Sequence, residues 1–254
     1  MKTIKARNAA EFVGELQGLL KDGYNNEVVF RGESHCYPTV LPTALRTGVA
    51  EDSEAQIGYF ADTYLRSFAG NIQTPNGTFL QLQETWDPTE EASDVHLYVR
   101  GLAQHHGIAT RLLDVSHNPL VAAYFAVDYR HEDDDDSDTV RVIAVSQTGG
   151  CRIVEVPTYG NQRLHRQYGA FLQCDSWERR ERVSLLEMPN VECTCVTMPA
   201  NFGNVDRLRL LLQRLGFSPS TMYGDLDAVA AEARWRARAE HVMLAEPEYD
   251  PHDP

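Results

Sequence analysis

Along the first half of the chain, apolar positions recur three and four residues apart. In the second half they bunch into short runs rich in β-branched residues. Phe12, Leu16, Leu19 and Leu20 share a helical face behind a capping box made by Asn8 and Glu11, and Gly23 closes the helix. "EVVF" reads as a short buried strand that delivers Arg31, Gly32 and Glu33 at its end, and "CYPTVLPTALRTG" as an ordered loop. Ile57, Phe60, Tyr64, Leu65 and Phe68 predict a helix over 51–69, broken by "NIQTPNG". Val95, Tyr98, Val99 and Leu102 predict another over 93–106, with Gly107 just past its end. "TVRVIAVS", "CRIVEVPT", "AFLQC" and "VECTCVTM" read as strands. Two helices then follow, over 204–215 with Gly216 after it, and over 225–241. The tail 243–254 is expected to fray.

Helices first and strands later predict an α+β fold rather than a regular βαβ alternation. The expected arrangement is a single domain over 1–254, with its core over about 8–242. Its helical N-terminal half would pack on a mixed or antiparallel sheet.

Within this pattern the stretch "LAQHHGIATRLLDVSHNPLVAAYFAV" (102–127) is dense in polar side chains. Asn118 followed by Pro119 is a strong helix start, because Asn caps free amides and Pro at the first position has no N–H to lose. "LVAAYFAV" is then almost wholly apolar and must be buried. Thr110, Arg111, Asp114 and Ser116 lie just ahead of it. His105 and His106 are neighbours, about 100° apart on a helix. Each alone is a good partner for a helix C-terminus, and neither has the i, i+4 mate of a zinc pair. Arg31 stands at a strand end, as either an anion-binding fork or half of an internal ion pair with an acid such as Glu33. Gly32 permits close approach of a ligand or of backbone. In "NQRLHRQYGAFLQC", Arg163, Arg166 and Gln167 precede Gly169 and line a polar cleft or a solvated turn.

Composition narrows the partners. The 254 residues carry a net charge of −14, a poor field for gripping a nucleic-acid backbone or an anionic membrane. The run "HEDDDDSD" (131–138) reads as a solvated acidic loop. "MKTIKARNAAEF" turns polar too early for a signal peptide, so the expected location is cytoplasmic, with the five cysteines as thiols. Cys193 and Cys195 would face one side of a strand, and no further ligands nearby suggest a metal.

Taken together, "VVFRGES", "YPTVLPTALR", the 102–127 stretch and "RLHRQYGAFL" resemble the FRG-domain family, named for a Phe-Arg-Gly signature, here Phe30, Arg31 and Gly32. The family's central motif matches Gln104, His105, His106, Gly107, Thr110, Arg111, Leu112, Leu113, Asp114, Ser116, Asn118, Pro119, Leu120 and Phe125. A later motif matches Arg163, Gln167, Gly169 and Phe171. The resemblance spans about Phe12 to Arg234. Val115 and Ala123 depart from the pattern, both at apolar positions.

The order of elements resembles a divergent ADP-ribosyltransferase fold, which implies NAD as substrate or ligand and no metal. The resemblance implies that Arg31 holds a phosphate, and that His105 or His106, with Thr110, contacts ribose or nicotinamide. Arg111 and Asp114 would brace the site or act in it, and Gln167 would meet the scissile ribose. Gly32, Glu33, Ser116, Asn118 and Arg163 would complete the binding surface. The implied partners are a nucleotide-type small molecule and a protein acceptor. Transferases carry a Glu where this chain has Gln167, which hydrogen-bonds without charge. Asp114 or Glu33 could supply that charge. A binding module without chemistry, a His/Asp hydrolase and a purely structural Arg111–Asp114 pair are the alternatives.

Overall fold

The computed structural model describes residues 1–21, 28–46, 53–67, 71–73, 79–81, 94–128, 138–146, 150–156 and 162–245. In chain order the elements begin with β1 (Lys2–Lys5), α1 (Ala9–Lys21), β2 (Val28–Glu33), α2 (Ser53–Ser67), β3 (Asn71–Gln73), β4 (Phe79–Gln81) and α3 (Asp94–His105). Then come β5 (Leu113–Ser116), α4 (Pro119–Asp128), β6 (Thr139–Ser146), β7 (Cys151–Val154), α5 (Gln162–Arg166) and β8 (Gly169–Cys174). The last are α6 (Asp175–Glu178), β9 (Cys193–Pro199), α7 (Phe202–Arg214), α8 (Pro219–Tyr223) and α9 (Leu226–Ala245).

Seven strands form one mixed sheet in the order β1-β9-β6-β2-β5-β8-β7, while β3 and β4 make a separate hairpin. Only the β1–β9 pair of the large sheet is parallel. The fold is therefore α+β, as the patterning predicts. The sheet is not confined to the later half of the chain, since β1, β2 and β5 come from the earlier half. Strand β6 is buried along six of its eight residues, which is why "TVRVIAVS" is an apolar run rather than an alternation.

Both faces of the sheet are covered. On one, Phe12 and Leu16 of α1, Leu208 and Leu212 of α7 and nearly all of α4 pack on Phe30, Val142 and Val196. On the other, Trp177, Leu185, Val40 and Leu45 cover Val29, Ile143 and Leu172. Seven of the ten residues of α4 are buried and the rest half-buried, which accounts for its lack of a polar stripe.

Local sequence explains the helix ends. The Glu11 amide donates to Asn8 Oδ1 at 3.0 Å, as the capping pattern predicts. The Glu11 carboxylate, however, takes the Arg7 amide and guanidinium rather than the Asn8 amide. Helix α3 ends at Gly107 with φ +87, and the Ile108 amide donates back to the Ala103 carbonyl at 3.0 Å. The expected stop at Gly23, the acidic run before Asp138 and the tail beyond 245 lie outside the described residues.

The expectation of five thiols is corrected. Cys151 and Cys174 are paired positions on β7 and β8, 4.1 Å apart at Cα, and are joined as a disulfide. Register across neighbouring strands, invisible in the 23-residue separation, brings them together. Cys193 and Cys195 are buried thiols on one side of β9, as the strand reading predicts. Among the described residues, no three metal-binding side chains gather and no helix is long and apolar enough to cross a membrane.

Gly32 shows what holds α4 in place. A Cβ there would sit 1.8 Å from the Ala122 carbonyl oxygen and 2.8 Å from the Ala126 nitrogen. The close approach is thus by helix backbone. Gly32→Ala is expected to lower stability by about 3 kcal/mol or more, because neither backbone can yield cheaply. Gly14→Ala on α1, where a Cβ meets nothing within 4 Å, should instead raise it by up to about 1 kcal/mol. Urea melts of the two variants check the contrast.

Candidate functional site

Strands β2 and β5 share a single residue pair, Phe30 opposite Ser116. Elsewhere β2 pairs with β6 over six residues, and β5 pairs with β8 over four. Continued in register, Gly32 would face Asp114. Instead the strands part, and the Arg31 guanidinium crosses the gap, its Nη1 donating to the Asp114 carbonyl at 3.0 Å. A seam-facing carbonyl without a ladder partner is costly, and this contact satisfies it.

A cleft of about 890 Å³ opens where the strands separate. Eight of the residues singled out from sequence line it: Arg31, Gly32, Glu33, His105, Asp114, Ser116, Arg163 and Gln167. Four do not. Arg111 is buried on the other side, where Nη1 donates to the Glu178 carbonyl at 2.7 Å and Nη2 lies 3.4 Å from the Glu178 carboxylate. Arg100 and Gln173 meet that same carboxylate at 3.3 and 2.8 Å. Arg111 therefore braces the entry to β5 and does not face Asp114. An odd spacing in extended chain puts the two on opposite sides. Thr110 bonds Gln104 and accepts the Leu112 amide at 3.1 Å. Asn118 caps α4, its Oδ1 accepting the Leu120 amide at 2.9 Å. His106 is exposed and stacks on Phe60. All four hold the frame.

The two carboxylates of the cleft differ sharply. Glu33 is buried and committed: Oε1 accepts from Arg31 at 3.2 Å, and Oε2 accepts from Arg141 at 2.8 Å. Asp114 is exposed to the cleft, and its carboxylate makes no hydrogen bond or ion pair with a described residue. Arg46, which the sequence reading passed over, also lines the cleft. Partial burial and then the like charge of Arg31 pull its pKa below the usual Arg range, against attraction from Glu33 and Asp114. Two guanidiniums thus crowd one wall.

His105 presents a ring nitrogen, Nε2, that is buried without a hydrogen-bond partner among the described residues, and its ring meets Phe171 edge-on at 5.8 Å between ring centres. Burial lowers its pKa below the ordinary histidine value of 6.5, and the Asp114 charge opposes that shift. The Ser116 hydroxyl donates to the Gln167 carbonyl at 2.7 Å, tying β5 to the turn before β8. Gln167 Nε2 reaches the Met222 carbonyl at 3.4 Å. Arg163 pairs with Asp225 at 2.6 Å beside the Tyr223 ring. Ser34, His35, Tyr37 and Tyr223 complete the wall and were not singled out from sequence. For the first three the signal was the polar run "SHCY" directly after β2; Tyr223, at the end of the short segment 219–223, had none.

Residues 26–135 match the family model of the FRG domain. The FRG domain thus covers 110 of the chain's 254 residues. No curated protein and no solved structure matches the chain. The FRG match begins just before β2 and runs past α4, so it takes in both walls of the seam. It stops short of Arg163, Gln167 and Tyr223, which close the cleft from the far side. The signature has a physical reading residue by residue. Phe30 fills the core under α4, Arg31 bridges the parted strands, and Gly32 admits the α4 backbone.

The His105 environment gives a check that needs no ligand. Its ring should titrate below the ordinary histidine midpoint, and lower still in Asp114→Asn, where the opposing charge is gone. A pH series of its NMR ring signals measures both. Because the folded pKa is depressed, the stability linked to His105 is present above 6.5 and is lost as pH falls through the folded value.

Proposed function

We propose that the cleft binds NAD and breaks its nicotinamide–ribose bond, passing ADP-ribose to a macromolecular acceptor or to water, on an ADP-ribosyltransferase-like fold. One observation carries this reading: the uncommitted carboxylate of Asp114 stands in the same cleft as Arg31 and Arg46. A guanidinium pair suits the two charges of a diphosphate, and such forks bind planar oxyanion groups with orientation as well as charge.

Bond cleavage takes the C1″–N electron pair away with nicotinamide and leaves positive charge on the ribose. A carboxylate at that point stabilises the transition state more than the ground state, which is what raises the rate. Glu33 cannot serve, since Arg31 and Arg141 already hold it. Gln167, where the transferases have Glu, is left to hydrogen-bond the ribose. His105 lines the same cleft beside Asp114. The uncharged Gln167 also favours a second reading, a module that holds the nucleotide without cleaving it.

Nicotinamide release from NAD distinguishes the two. Asp114→Asn should slow release by about 100-fold or more while NAD still binds by calorimetry. Arg46→Ala should weaken binding by about tenfold, the worth of one charge-assisted contact. Binding by the unaltered protein without release supports the second reading, and unchanged release in Asp114→Asn contradicts the first.

A further inference from the structure

The residues just past β2 form a second chemical group in the same cleft. Ser34 Oγ lies 3.0 Å from His35 Nδ1, and Tyr37 Oη lies 3.2 Å from the same nitrogen. On the other side of the ring, His35 Nε2 is 3.4 Å from Asp138 Oδ2. Hydroxyls on one nitrogen and a carboxylate at the other assign the tautomer: the proton sits on Nε2 toward Asp138, and the Nδ1 lone pair receives a hydroxyl. Asp138 is itself fixed. The Thr139 amide donates to its Oδ1 at 2.6 Å, and its carbonyl accepts the Ala200 amide at 2.8 Å. Ser34 follows Glu33, which Arg31 and Arg141 lock in place. A hydroxyl, a base in hydrogen-bond reach and a carboxylate orienting that base are the parts of an activated nucleophile.

We propose that Ser34 is the acceptor nucleophile of this cleft, with His35 as its general base and Asp138 as the positioning residue, and that the chain ADP-ribosylates itself there. This rests on the NAD reading above. The Asp114 carboxylate selects the electrophile. Attack on an acyl carbon builds an oxyanion, which a free carboxylate in the same cleft repels. Attack on the anomeric carbon quenches a cation, which that carboxylate stabilises. In the step, a bond forms between Ser34 Oγ and C1″, and the C1″–N bond breaks with its electron pair leaving on nicotinamide. The Ser34 proton passes to His35 Nδ1, and Asp138 balances the resulting imidazolium. The products are one ADP-ribosyl group per chain, in O-glycosidic linkage, and free nicotinamide.

The test incubates the full chain with NAD and follows two readouts separately, nicotinamide release and the mass of the peptide that contains Ser34. The expected result is one ADP-ribosyl group on Ser34, absent in Ser34→Ala. His35→Gln, which keeps a hydrogen-bonding side chain but no base, should form the adduct about 100-fold more slowly while melting like the unaltered protein. Asp138→Asn should slow it too, and Asp138→Glu, which restores the charge, should recover it. Nicotinamide release with an unmodified Ser34 peptide overturns this proposal and leaves the NAD reading standing. No nicotinamide release overturns the NAD reading and this proposal with it. Adduct formation at full rate in His35→Gln removes the base from the account.

Discussion

Between β2 and β5 the ladder is one residue pair long, and where it stops the Arg31 guanidinium takes over. That substitution makes the cleft possible. A sheet that stays paired has no interior opening, and one that simply splits leaves buried carbonyls unsatisfied. Arg31 meets the Asp114 carbonyl across the gap, and Glu33 holds Arg31 on its own strand. On the opposite face of β2, Gly32 lets the α4 backbone press against the strand that has lost its neighbour. The tripeptide Phe30-Arg31-Gly32 is thus one device with three faces: core, gap and helix.

Carboxylates are sorted by the same seam. Glu33 and Glu178 each hold two arginines and stiffen the walls. Asp114 holds none. A chain with a net charge of −14 therefore presents guanidinium on one wall of its cleft and a single uncommitted acid nearby. Buried bridges of the Glu178 kind contribute more to a defined geometry than to net stability. Here they aim the backbone that carries Asp114.

Much of this was legible in the sequence where period and capping speak for themselves. Helices α1, α3 and α7 follow their apolar stripes and their Asn or Gly ends, and β6 follows "TVRVIAVS" residue for residue. Strand β5 is different. Its four residues do alternate, with Leu113 and Val115 inward, but Arg111 and Leu112 ahead of them blur the period. That is why Arg111 and Asp114 read locally as a possible pair when they point apart. Short α8, the Cys151–Cys174 link and the meeting of Ser34, His35 and Asp138 depend on tertiary register, which no local pattern encodes. The resemblance to the FRG family brought Arg31, Asp114 and Gln167 to attention together. It did not separate the residues that face the cleft from those that brace it.

Amide hydrogen exchange with and without saturating ADP-ribose tests the central claim, that the parted seam is the ligand site. The account predicts added protection confined to Arg31–Ser34 on one strand, Asp114–Ser116 on the other, and the Gln167–Ala170 turn that closes the cleft. Protection that falls elsewhere, or none at all, would contradict it.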